Sequence, residues 1–210
     1  MSLYEKVVEV YRVAKNYSQS YENGNRSSKR TDELNDAFIN NVVQPIFSQD
    51  KGYTIKTEHS IACAYGDTFK MDVVVYKKDK IVAMFPLKAI ERSYNKNRFN
   101  FANTIVGEAY RIWGKPGIPD REKTLVAAVD WIPYEVMVGK EKTERTKLAR
   151  ISSENLTRMA ASFGYPNSKH ISVKIQFDYD EMSNKITNID KGSVIKFMKE
   201  LEEWEDNFEQ

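Results

Sequence analysis

An aspartate inside an apolar strand is the residue of this chain that most needs a chemical reason. Asp72 stands in Met71-Asp72-Val73-Val74-Val75, among β-branched residues that suit a buried strand. A carboxylate placed there without a partner carries a large desolvation cost, so something cationic must answer it. Sixteen residues later comes Lys88, in Phe85-Pro86-Leu87-Lys88-Ala89. Between them Lys77-Lys78-Asp79-Lys80 reads as a polar turn, and a hairpin of that length brings Asp72 and Lys88 to the same end of a sheet. A carboxylate holding Mg²⁺ beside an ammonium is apparatus for hydrolysing phosphodiesters. The metal neutralises phosphate and acidifies a water, while the lysine positions that water or steadies developing charge.

The elements that must position this pair are legible in outline. Leu3, Val7, Val10 and Ala14 recur at helical spacing, and Ser18 to Arg30 is a soft polar loop. A second helix starts after Thr31, carries Leu34, Phe38 and Val42 as its stripe, and ends near Pro45. Tyr53 to Ala64 holds one strand, Phe69 to Tyr76 the next, and Ile81 to Phe85 returns. The returning strand is nearly all apolar and belongs in the sheet centre. A helix from about Asn97 to Trp113 follows, closed by Gly114 and Pro116. Thr124 to Ile132 is another buried strand, and Ser153 to Phe163 a helix stopped by Gly164-Tyr165-Pro166. Ile171 to Phe177 alternates as a half-exposed strand, and Val194 to Trp204 is the last helix. This order predicts an α/β (α+β) fold: a central mixed sheet with helices over both faces.

With that order the chain resembles the PD-(D/E)XK nuclease superfamily, and within it the type II restriction endonuclease-like proteins. The family core, helix, three strands, helix, strand, corresponds to about 31–132. Asp72 matches the first acidic position and Lys88 the lysine of the second half-motif. At the position two before the lysine, where the family carries Glu, Asp or Gln, this chain has Pro86. Proline cannot bind a metal. Some members carry the carboxylate on the following helix instead, which makes Glu108 the candidate for the swap. Phe101, Ile105, Glu108 and Ile112 share one helical stripe that should face the sheet, where a charge needs a partner. A buried ion pair with Lys88 or Arg111 is the bland alternative for Glu108, and Glu58 and Glu33 are lesser candidates. The resemblance implies Mg²⁺ held at Asp72, Glu108 and Leu87, double-stranded DNA as substrate, and a homodimer that cuts both strands.

A second signal lies between the hairpin and Glu108. In Arg92-Ser93-Tyr94-Asn95-Lys96-Asn97-Arg98-Phe99-Asn100, basic, amide and aromatic side chains interleave. Arg92, Lys96 and Arg98 suit phosphates, and Asn95 and Asn97 suit an adenine edge or the backbone. A solvated loop explains the same residues. Lys140 to Arg150 offers a second DNA contact or, by its alternating charge, an exposed helix. Charge is also segregated at larger scale. Lys88 to Lys123 carries eight basic residues against four acidic, whereas Lys199 to Gln210 carries one against six. A polyanion would be favoured on one side only.

Composition sets the remaining bounds. The 210 residues suffice for one good core, burying roughly 70% of the unfolded surface, so one domain is expected. A net charge of +2 excludes a histone-like tail and an acidic solvating chain. Cys63 alone gives neither a disulfide framework nor a multi-Cys zinc site, and His59 and His170 read as structural. Asp130, beside Trp131, reads as the end of a buried strand near the candidate site. No phosphate-binding glycine loop, dinucleotide fingerprint or nucleophile-elbow motif is present. No apolar run is long enough to span a membrane and no signal-peptide core opens the chain, so a soluble cytoplasmic protein is expected. Three readings follow: a Mg²⁺-dependent endodeoxyribonuclease, a catalytically silent DNA-binding or assembly protein, and an interaction protein in which Asp72 and Lys88 are only a salt bridge.

Overall fold

The computed structural model describes residues 36, 38–64, 66–89, 94–113, 124–138, 142–147, 153–180 and 185–208. The expected helix over Leu3 to Ala14, the loop after it and Glu33 lie outside the described residues, as do Arg92 and the stop at Gly114. A π-helical turn, Ile39–Val43, runs into a short helical turn, α1 (Gln44–Ile46). Pro45 sits in the first turn of α1, where its missing N–H costs no internal hydrogen bond.

Two antiparallel strands follow, β1 (Tyr53–Ala62) and β2 (Thr68–Lys77), and the chain then reverses into β3 (Lys80–Phe85). Lys78 and Asp79 form the two-residue turn with φ of 49° and 64°, the positive values that match such a loop to strand twist. Past Pro86 the path resumes as β4 (Leu87–Ala89) and leads to the long helix α2 (Tyr94–Trp113). β5 (Leu125–Pro133) is buried over almost its whole length. It opens into a two-stranded ribbon of β6 (Glu135–Val138) and β7 (Lys142–Arg145).

The chain continues through α3 (Ser153–Ser162), β8 (Lys169–Asp180), β9 (Lys185–Ile189) and α4 (Lys191–Phe208). Gly164, at φ +88°, takes the left-handed position after α3, and the amides of Gly164 and Tyr165 bond back to Ala161 and Ala160. Asp190 caps α4 by accepting from the Ser193 N–H at 3.0 Å.

The sheet order is β1-β2-β3-β5-β8-β9, with β4 also on β5. β3, β4 and β8 run parallel to β5, and the outer pairs are antiparallel. The fold is therefore a mixed β-sheet flanked by α-helices, with the hairpin's second strand well inside it. One face packs Val73, Val75, Phe85, Val129 and Ile175 under the first helical turns and α4. The opposite face packs Val74, Met84 and Val126 under α2 and α3, through Ile105, Ala109, Trp113 and Leu156. Among the described residues no helix is long and apolar enough to cross a membrane.

Four short strands, β4, β6, β7 and β9, are absent from the sequence expectation. Residues 142–145 form strand β7 and not an exposed helix, because Glu135 to Val138 pair with them residue for residue. β4 is a short strand whose partner, β5, lies about 40 residues along the chain, and β9 is a short strand that returns antiparallel on β8. Asp130 does not end its strand either, since β5 continues through Pro133.

Candidate active site

The site grows out of strand parity. Val73, Val75 and Phe85 point to the α4 side, so Asp72 on β2 points to the α2 side at the end of the sheet where β4 begins. Leu87 belongs to the α4-side core, which turns Lys88 toward α2. Val129 and Trp131 bracket Asp130 in the same way, and Val173 and Ile175 bracket Lys174. Four ionisable residues from β2, β4, β5 and β8 thus share the α2 face. From above, α2 brings Glu108 down on the stripe of Ile105 and Ile112, as its spacing requires.

Asp72, Lys88 and Glu108 converge there. The Lys88 ammonium donates to Glu108 Oε1 at 2.8 Å, with side chains 25% and 16% exposed. Glu108 Oε2 is buried and has no hydrogen-bond partner. Asp72 Oδ2 accepts from the Leu87 N–H at 2.7 Å. The ion pair of Lys88 is therefore with Glu108 and not with Asp72, so the simple Asp72–Lys88 salt bridge is replaced by a three-residue arrangement. Pro86 contributes here through its carbonyl, which accepts from the Val129 N–H at 3.0 Å and ties β4 to β5.

Burial dominates the electrostatics. It pushes the Asp72 carboxyl up to about 6, with the charges of Glu108 and Glu58 adding to the rise. The Leu87 N–H and the Lys88 ammonium act against it. Asp130, 4% exposed, is likewise pushed up to about 6 by burial, although Lys174 and Lys88 both favour its charged form. Burial lowers the Lys174 ammonium, and Asp130 opposes that. A carboxyl and an amine displaced toward neutrality, next to one another on adjacent strands, mark this end of the sheet as electrostatically costly.

Glu58 is adjacent to the site but turned to another task. It has φ 47° inside β1, where pairing passes from Thr57↔Val73 to His59↔Met71, and it forms an ion pair with Lys70. His170 is buried against Trp113, ring centroids 5.7 Å apart, and burial holds its imidazole down at about 3. His59 packs edge-on to Tyr76 at 5.8 Å.

The expected DNA-contact segment is described in part. Arg92 and the side chains of Lys96 and Asn97 lie outside what is described. Asn95 commits both amide atoms to the main chain: Nδ2 donates to the Arg145 carbonyl at 3.0 Å and Oδ1 accepts from the Lys147 N–H at 2.8 Å. Arg98 donates to the Asn95 carbonyl at 3.3 Å and lies over the Phe99 ring, itself 63% exposed. The two basic stretches, some 50 residues apart, meet through Asn95.

Among the described residues no group of three or more His, Cys, Asp or Glu side chains is arranged to hold a metal ion. The site offers two carboxylates. That donor set still fits Mg²⁺, which takes one or two carboxylates and completes its shell with water and substrate phosphate. The orphaned Oε2 of Glu108 is the oxygen such a cation would satisfy, and Leu87 could add only its main-chain carbonyl. No protein-family model matches the chain, and no curated protein matches it.

Sequence spacing finds Asp72, Lys88 and Glu108 but not Lys174, whose position beside Asp130 follows from parallel pairing of β5 with β8. Its only local signal is a lysine amid the alternation of Ile171 to Phe177.

Proposed function

We propose that this protein is a Mg²⁺-dependent endodeoxyribonuclease of the PD-(D/E)XK, restriction endonuclease-like class, acting on double-stranded DNA. The observation that carries the reading is the convergence of Asp72, Lys88 and Glu108, with one buried oxygen of Glu108 left without a partner. In this reading Asp72 and Glu108 hold the cation and Lys88 orients the attacking water at the scissile phosphate. Mg²⁺, when bound, supplies a Lewis acid for the phosphate and lowers the pKa of its water. Glu108 takes the place of the carboxylate that Pro86 excludes. In this reading Arg98, Arg145 and Lys147 are phosphate contacts, while Asn95 braces the segments that carry them. A homodimer follows if both strands of a symmetric site are cut.

The test is cleavage of supercoiled plasmid with and without Mg²⁺. Asp72→Asn should abolish cleavage while DNA binding persists or tightens, because the variant loses a ligand and also a negative charge near phosphate. Unchanged cleavage by the variant removes Asp72 from the site. A second reading, a DNA-binding or assembly protein without the chemistry, is supported by Pro86 and by the closed Lys88–Glu108 pair. Salt-dependent DNA binding by the wild type with no cutting in Mg²⁺ or Mn²⁺ selects it.

A further inference from the structure

We propose that Asp130 is a positioning residue for Lys88, with Lys174 as its second partner. The role of Lys88 rests on the nuclease reading, whereas the placement of Asp130 rests on the sheet alone. Asp130 is the register partner of Lys88 on β4 and of Lys174 on β8. Three ionisable residues therefore lie abreast on parallel strands about 4.8 Å apart, with side chains to the same face. A carboxylate with only 4% exposure persists where cations flank it, and here one stands on each side.

The consequence lies in the double demand on Glu108. Its Oε1 holds the Lys88 ammonium at 2.8 Å and its Oε2 is the unpartnered oxygen. If Glu108 turns toward a cation, Lys88 gives up the ion pair it makes with that residue. Asp130, fixed in the strand beside it, then supplies the counter-charge that keeps the amine in the site. Lys174 shares the same carboxylate from the other side, which keeps Asp130 from drawing Lys88 away from Glu108 altogether. The row Lys88–Asp130–Lys174 thus sets how tightly Lys88 grips Glu108.

Calorimetric titration with Mn²⁺ alone, on the full chain without DNA, tests this in four proteins: wild type, Asp130→Asn, Lys88→Met and the double variant. Without Asp130 the ammonium is left to Glu108 and competes with the cation for it. Asp130→Asn should weaken Mn²⁺ binding about tenfold when Lys88 is present and at most about threefold in the Lys88→Met background. An equal factor in both backgrounds overturns the proposal, because Asp130 then acts only as a distant charge on the cation. Partial unfolding lowers the apparent affinity in proportion to the folded fraction, so the folded fraction of each variant, read from urea melts, corrects its binding constant before the factors are compared. If Asp130→Asn does not fold, Lys174→Met tests the row from the other side. It should tighten Mn²⁺ binding, and unchanged or weaker binding overturns the proposal. Should the wild type neither bind Mn²⁺ nor cut DNA, the nuclease reading fails separately. The unfolding constants of the four proteins then decide the pairing: non-additivity of about fivefold or more supports it, and additivity within about twofold overturns it.

Discussion

Under α4 the sheet presents Val73, Val75, Phe85, Val129, Val173 and Ile175, whereas under α2 the same strands present Asp72, Lys88, Asp130 and Lys174 at one end. The first face is apolar throughout and interlocks with aromatic rings: Phe85 meets both Phe38 and Phe47 with centroids 6.0 Å apart. The second is apolar only in its middle, at Val74, Met84 and Val126, and charged toward the ends of the parallel strands. Stability comes from removing hydrocarbon from water, which the α4 face does without compromise. Charged groups on the α2 face work against that gain unless they are paired. One face holds the sheet together so that the other can carry groups that folding alone would not select.

The largest effect should come from breaking the apolar face. Phe85→Ala should cost about 3–5 kcal/mol, measured by denaturant unfolding, because the ring is fully buried between two others. A cost under about 1 kcal/mol would erase the contrast between the faces.

The second effect is a pH dependence of the charged face. Asp72 and Asp130 have folded-state values near 6 against 3.8 for an ordinary aspartate, so the folded chain binds their protons more tightly than the unfolded one. Their contribution to stability is fully present below about 3.8 and is lost as pH rises through 6, by at most about 3 kcal/mol each. Asp130→Asn removes one of these losses. Its stability relative to wild type should therefore improve between pH 4 and pH 7 in metal-free thermal or urea melts. A difference that stays flat across that range would mean that Lys88 and Lys174 fully offset the burial of Asp130.

The third prediction trades function for stability. Lys88→Met with Glu108→Leu replaces a half-buried ion pair by apolar side chains of similar length, and should be neutral or stabilising by about 1–2 kcal/mol. On the nuclease reading proposed above, cleavage should be lost completely. A clear destabilisation would show that the pair serves the fold. The smallest effect is expected at the brace. Asn95→Ala should cost about 1 kcal/mol and speed hydrogen exchange of the Lys147 amide, with the rest of the sheet unchanged.

The contrast between faces also explains what the sequence reveals. Asp72 and Lys88 are found together because the polar turn Lys77 to Lys80 marks a hairpin whose length brings both to one sheet end, and the bulge between Val75 and Tyr76 shifts the pairing by one residue without changing that end. Glu108 is found because helical spacing puts it on the stripe of Ile105 and Ile112. The partnership of Asp130 with Lys174 is not legible. It depends on parallel pairing across 44 residues and an intervening helix, and no local period encodes that. The β6–β7 ribbon is hidden for a different reason: mixed charge in Lys142 to Arg145 suits a solvated strand as well as a solvated helix. The brace of Asn95 depends on which main-chain atoms of Arg145 and Lys147 come within reach, which only the fold decides.

The bond from the Leu87 amide to Asp72 has a consequence in rotamer entropy. An exposed aspartate samples several side-chain conformations, and whatever binds it must freeze them. Here the amide selects one at folding, so the cation proposed above would meet a carboxylate already aimed. The donor is also the residue directly before Lys88. Acid and amine are thereby referenced to the same short stretch of backbone, and any displacement of β4 carries both of them together.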